Sequence, residues 1–239
     1  MPHSRQEHLG GNAISSGESI IDVNERLVFI NGTLVPESTA TISVFDRGFP
    51  WGDGVYEVTP CFRGRTFRLK EHIDRLYRSL RYVQIDPGMT ADELLIATEE
   101  SHAKNLPATE DDAVVRLFHF ITRGVDGPTM GARHAGPATV VMMWRPVAPA
   151  WYGTAFTTGI EARVVPTQRN RPAAVEPRAK VTSKLNHILA ELDADADDAI
   201  SIMLDEFGNI AENSIANVFL VKDGRILTPR MNNALEGVT

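Results

Sequence analysis

The sequence predicts an α+β protein, and three observations carry the prediction. Short runs rich in Val, Ile, Phe and Thr recur along the chain and end at turns containing Gly or Asn, as strands do. Between two such groups the apolar period changes, and Leu69, Ile73, Leu76, Leu80 and Val83 follow one another at helical spacing. With 239 residues, 43% hydrophobic and 23% charged, the chain can bury a real core as one large domain or two modest ones.

Residues 1–22, rich in Ser, Gly, His and Asn without apolar period, are expected to be a flexible tail. Leu27 to Ile30 and Thr33 to Val35 read as a hairpin around Asn31-Gly32, a pair suited to a two-residue turn. Val55 through Phe62, a turn at Arg63-Gly64-Arg65, and Thr66 to Leu69 suggest a second strand pair. The Leu69–Val83 helix follows, then a less regular helix around Leu94, Leu95 and Ala97. Residues 23–125 thus form a small α+β unit, and residues 138–239 are expected to form a larger, incomplete one. Strands are expected at 113–121, 138–144 and 159–165, with Gly and Pro marking a loop from 124 to 137. A helix with the apolar stripe Val181, Leu185, Ile188 and Leu192 follows, with Thr182 or Ser183 able to cap its start. The last strands are 200–204 and 217–221, after turns at 206–209 and before one at 222–224.

A formal net charge of −7 works against sequence-independent binding to nucleic acid or to an anionic membrane, which need clustered cations. Cys61 is the only cysteine, which rules out a disulfide within the chain and a Cys-cluster metal site and fits a reducing cytoplasm. The chain has no apolar run near the length of a spanning helix, and its start lacks the apolar core of a signal peptide. The expectation is a cytoplasmic protein with a small-molecule site.

Four segments carry chemistry: Pro177-Arg178-Ala179-Lys180 leading into Leu185; Asp205-Glu206-Phe207-Gly208-Asn209 followed by Glu212-Asn213-Ser214-Ile215-Ala216-Asn217; Phe45 to Val58 continuing through Arg75; and the closing Leu235-Glu236-Gly237-Val238-Thr239. Taken singly, each lysine, glutamate or arginine here reads as an ordinary solvated residue. Their order and spacing together resemble the class IV aminotransferases, the pyridoxal-phosphate enzymes that include branched-chain and D-amino-acid transaminases, from about residue 27 to 239.

The resemblance implies fold type IV, with a small α/β N-terminal domain and a larger pseudo-barrel C-terminal domain whose last part is missing here. It implies pyridoxal 5'-phosphate as cofactor, bound by Arg75, Lys180, Glu212, Ser214, Ile215, Val238 and Thr239. Lys180 would be the catalytic amine, Glu212 would face the pyridine nitrogen, and Arg75 and the 237–239 turn would hold the phosphate. Lys184 stands where many members carry tyrosine, Asn213 where glycine is usual, and Phe49 where many relatives place an active-site tyrosine. Phe49, Arg116 and Phe118 are the expected substrate residues, Arg116, Phe118 and Phe120 sharing one face of a strand. A cation at Arg116 could read a carboxylate, and Thr122-Arg123-Gly124 resembles D-amino-acid and (R)-amine transaminases. The adjacent Arg133 and His134 depart from the Arg-x-His pair of D-amino-acid enzymes. The expected activity is amino transfer between an amino acid, D-amino acids among the donors, and a 2-keto acid, in a homodimer. Alternatives are an aminodeoxychorismate lyase or an (R)-amine transaminase of the same fold, and a truncated, non-catalytic binding protein.

Overall fold

The computed structural model describes residues 25–106, 114–129, 131–147, 155–194 and 199–239. The expected tail at 1–22 lies outside them. Strands β1 (Leu27–Ile30) and β2 (Thr33–Pro36) pair antiparallel across Asn31 and Gly32, both at positive φ (49° and 92°). Two consecutive left-handed residues match the twist of the strands they join, which is why Asn-Gly is favoured there. A single helical turn, α1 (Gly48–Trp51), precedes β3 (Gly54–Phe62), which turns back through Arg63 and Gly64 into the short β4 (Arg65–Thr66).

Helix α2 (Leu69–Val83) buries Leu69, Ile73, Leu76 and Leu80, the stripe read from the sequence. Helix α3 (Ala91–Asn105) starts on a capping box: the Thr90 hydroxyl accepts from the Glu93 main-chain N–H, and the Glu93 carboxylate accepts from that of Thr90. Strands β5 (Val114–Thr122) and β6 (Thr139–Val147) then run antiparallel in register over nine residues each, completing a sheet of order β2-β1-β6-β5-β3-β4. Alternate residues of β3, β5 and β6 point under the two helices, where Val55, Leu117, Ile121, Val140 and Met142 meet Ile73, Leu76, Leu80 and Leu94. The expected boundary between 125 and 138 therefore moves past Val147. β6, grouped with the second unit on sequence, is stitched to β5 on one side and β1 on the other.

The rest comprises α4 (Ala155–Thr158), β7 (Glu161–Val164), α5 (Leu185–Asp193), β8 (Ala199–Leu204), β9 (Ile210–Glu212), β10 (Leu220–Lys222) and β11 (Arg225–Leu227). β7 and β8 run parallel, β8 and β9 antiparallel, and β10–β11 form a separate hairpin. Two expectations about α5 are corrected. Its buried contact is made by Ala190, with Ala194 just beyond its end, against Val165 and Met203, while Leu185, Ile188 and Leu192 face outward at 65%, 47% and 70% exposure. The predicted stripe is periodic but lies on the side away from the Ala190 contact. No side chain caps its start: the Thr182 hydroxyl donates instead to the Gly52 carbonyl, tying the segment before the helix to the first sheet.

Candidate active site

The first strip of β3 has a free edge, since β4 pairs only with Cys61 and Phe62 at its far end. Residues 180–182 use that edge. The Tyr56 N–H donates to the Lys180 carbonyl at 2.9 Å, the Thr182 N–H donates to the Gly54 carbonyl at 2.9 Å, and Val55 and Val181 face each other antiparallel. The Lys180 N–H in turn donates to the Ser79 hydroxyl on α2 at 3.0 Å. With its backbone fixed on both sides, Lys180 lays its ammonium over the Tyr56 ring, 4.4 Å from the centroid. Loss of water around the amine pulls its pKa from 10.5 to about 8, although Glu57 and Glu212 push the other way.

Beneath β3 lies a buried ion cluster. Glu57 is fully buried and receives Arg75 in a fork, Nε to Oε2 at 2.8 Å and Nη2 to Oε1 at 2.5 Å, while His72 Nδ1 lies 3.1 Å from Oε1. His72 and Arg75 are three residues apart on α2, so they share the face that meets the strand. Burial alone would favour the neutral acid, but the His72 bond and the Arg75 fork outweigh it and hold the Glu57 carboxyl at about 2. From this base Arg75 Nη1 reaches the Glu236 carbonyl at 2.6 Å, and His72 Nε2 lies 3.4 Å from the Thr239 hydroxyl. Arg68 donates to the Val238 carbonyl at 3.2 Å. The closing segment is thus held against the start of α2. Gly237 lies so close to the Asn217 amide oxygen that a Cβ there would collide with it.

A second cluster holds Glu212 at the end of β9. Its Oε1 takes Arg169 Nε at 2.5 Å and lies 3.5 Å from His187 Nε2, and its Oε2 accepts the Leu235 N–H at 2.9 Å. Burial works against ionisation here too, but the His187 bond, the Arg169 charge and the Leu235 N–H together lower the carboxyl below its usual range. Asn213 donates from its side chain to the Ser201 carbonyl at 2.7 Å, and its side-chain oxygen accepts the Ile215 N–H at 3.0 Å. It is not among the residues with positive φ, so glycine is not required at this turn.

An amine, two ionised carboxylates and a fork-held arginine converge from distant parts of the chain. The family described as Amino-transferase class IV matches residues 54–239. The chain belongs to the class IV aminotransferases. It is 35% identical over 217 residues to a putative branched-chain-amino-acid aminotransferase of Methanocaldococcus jannaschii, covering 89% of this chain and 71% of that one. It is 30% identical to a D-alanine aminotransferase of Listeria monocytogenes, with the same two coverages. A branched-chain aminotransferase of the archaeon Thermoproteus uzoniensis, solved with norvaline, shares its fold at a TM-score of 0.77 and 29% identity over 90% of this chain and 72% of the other. This is fold type IV, and about seven tenths of a relative's length is present.

Class IV aminotransferases use pyridoxal phosphate, and the donor set here fits that group. It comprises a desolvated amine, a carboxylate held ionised for a pyridinium, and an arginine, a histidine and a threonine hydroxyl meeting at one end for a phosphate. Of the residues predicted from sequence, the structure brings together Lys180, Glu212, Arg75, Val238 and Thr239. Ser214 is buried on the Glu212 turn, while Ile215 beside it turns its side chain outward. Phe118 stacks on Phe120 at 5.9 Å, and Phe120 on Tyr56 at 5.8 Å, so an aromatic row runs from the Lys180 amine along the sheet. Arg116 continues that row two residues beyond Phe118 and pairs in register with Pro60 and Arg145. Phe49 is not in this group; it is 76% exposed on α1. Sequence reading missed Tyr56, Glu57, His72, Arg169 and His187. The available signal was Glu57 and His72 themselves, charged or polar residues at core-facing positions of strong strand and helix patterns.

Glu57 lies below the site, so Glu57→Gln tests whether the lower cluster positions Arg75. A carboxyl held at about 2 against an ordinary 4.5 contributes stability that is full above about 4.5 and is lost as pH falls through about 2. The substitution should cost on the order of 3 kcal/mol at neutral pH and flatten the stability curve between those values in urea titrations. It should also weaken pyridoxal phosphate binding roughly tenfold or more.

Proposed function

We propose that the chain transfers an amino group between an amino acid and a 2-keto acid, with Lys180 as the amine that would hold pyridoxal phosphate and move the substrate's proton. The observation that carries this reading is the placement of Lys180, fixed by backbone bonds on both sides, over Tyr56, with the charges of Glu57 and Glu212 acting on its amine. With a pKa of about 8, roughly one Lys180 in ten is unprotonated at pH 7, against fewer than about one in a thousand for an ordinary lysine. When bound, pyridoxal phosphate supplies an electron-accepting ring. Glu212, held ionised, would accept a hydrogen bond from the protonated ring nitrogen. Arg75, Thr239 and the N–H groups of Ser214 and Val238 would receive the phosphate, while the Ile215 N–H is held by the Asn213 side chain at the same turn. The Tyr56 hydroxyl stays neutral, since burial and the Glu57 charge push its pKa to about 12.

Arg116 stands four residues from Phe120, the register partner of Tyr56, a span of about 13 Å along the strand. An amino donor's α-carboxylate lies only two bonds from its reacting nitrogen. Arg116 therefore suits a carboxylate at the far end of the substrate, as in a dicarboxylic amino acid or keto acid, and Phe118 and Phe120 line the way to it. The reading includes a cytoplasmic homodimer. It is supported by the exposed Phe45, Phe49 and Trp51 around α1, and among the described residues no helix is long and apolar enough to cross a membrane. A second copy is the expected way for Phe49 to reach a site.

Lys180→Ala should abolish the visible absorption of the loaded protein and amino transfer with it, whereas Lys184→Ala should retain the band; the reverse pattern would assign the chemistry to Lys184. Pyruvate released without a keto-acid acceptor would instead indicate lyase chemistry.

Arg116→Met keeps the apolar stem and removes the charge. Glutamate as donor should lose about ten- to a hundredfold in kcat/KM, and a donor with an apolar side chain should change little. Equal losses for both would remove Arg116 from substrate recognition.

A further inference from the structure

The groups that hold the lysine and the arginine form a closed ring of contacts. The Lys180 carbonyl accepts the Tyr56 N–H at 2.9 Å, and Glu57, the next residue of β3, takes Arg75 in its fork. Arg75 lies one turn before Ser79 on α2, and the Ser79 hydroxyl closes the ring by accepting the Lys180 N–H at 3.0 Å. A serine hydroxyl has one proton to give. Ser79 gives it to the Arg75 carbonyl at 3.1 Å, which leaves a lone pair for the Lys180 N–H and fixes where that lone pair points. The back-bond along the helix thus orients an acceptor for a residue 101 positions later. Ser79 is buried, and three residues on the Tyr82 hydroxyl accepts the Glu176 N–H at 3.0 Å, so α2 also receives the approach to Lys180.

We propose that Ser79 is a positioning residue that sets the Lys180 amine at a fixed separation from Arg75. This rests on the reading of Lys180 as the amine that would hold pyridoxal phosphate and of Arg75 as a ligand of its phosphate. A molecule that must meet both groups at once is held well only where their spacing is already right, and one turn of a packed helix is a stiff spacer. The bonds to Tyr56 and Gly54 hold the lysine segment from the β3 side alone, whereas the Ser79 bond holds it from α2. Without the hydroxyl the Lys180 N–H turns to another acceptor, and the amine has to be brought back each time it is used. Arg75 keeps its place, because the Glu57 fork and the helix itself hold it.

Ser79→Ala removes the hydroxyl and little else. Pyridoxamine phosphate carries an amine where pyridoxal phosphate carries an aldehyde, so it can use Arg75 but offers the Lys180 amine nothing to hold. Equilibrium binding of the two by the full chain should therefore separate, with about a tenfold loss for pyridoxal phosphate in Ser79→Ala and at most about a twofold loss for pyridoxamine phosphate. A merely structural role would weaken both alike. If the variant folds poorly, hydrogen exchange of the unloaded wild type tests the same bond: the Lys180 amide should exchange as slowly as the α2 amides around Ser79, and fast exchange there overturns the inference. Equal losses for the two ligands, or none for either, overturn it as well, and borohydride trapping on Lys180 then leaves the proposed function standing. A label on another lysine of the wild type overturns both.

Discussion

The site depends on one edge-pairing. The opening residues of β3 present main-chain groups that β4 does not reach, and residues 180–182 pair with them through the Tyr56–Lys180 and Gly54–Thr182 hydrogen bonds. A strand edge left bare inside a protein is costly, because its N–H and C=O groups must find partners. Satisfying it with the lysine segment settles several matters together. It holds the Lys180 backbone where the side chain lays its amine over the Tyr56 ring. It also brings the second half of the chain, with Glu212 and the closing turn, to the first sheet.

Around that pairing the chain buries charge in two places, Glu57 with Arg75 and His72, and Glu212 with Arg169 and His187. Buried ion pairs contribute little net stability compared with apolar packing, since desolvation offsets much of their attraction, yet removing one partner is expensive. Their value here is positional. Each keeps a carboxylate ionised where burial would otherwise protonate it, one holding Arg75 by the closing segment and the other at the end of β9, the placement on which the proposed cofactor contacts rest. The Lys180 amine lies in the field of both, and its lowered pKa records the balance between lost water and these charges.

Local patterns made much of this legible in the sequence. The Asn31-Gly32 hairpin and the α2 stripe follow from turn chemistry and helical period, and motif order singles out Lys180, Glu212 and Arg75 as the candidates of the proposed site. What escaped depends on contacts between distant segments. Arg169 sits in a Pro- and Arg-rich stretch that reads as exposed, yet it is buried because Glu212, 43 residues later, needs a cation. β6 pairs with β5 and β1 although a loop rich in Gly and Pro precedes it; such a loop looks the same between domains as within one sheet. The α5 stripe failed for a related reason: Leu185, Ile188 and Leu192 set the period, but Ala190 sets the packing face.

The most direct test of this arrangement is reductive trapping. The full chain is incubated with pyridoxal phosphate, reduced with borohydride, digested and mapped by mass spectrometry. The backbone pairing predicts the phosphopyridoxyl group on Lys180 alone. A label on Lys184, or on any other lysine, would contradict the placement from which the rest of the site has been built.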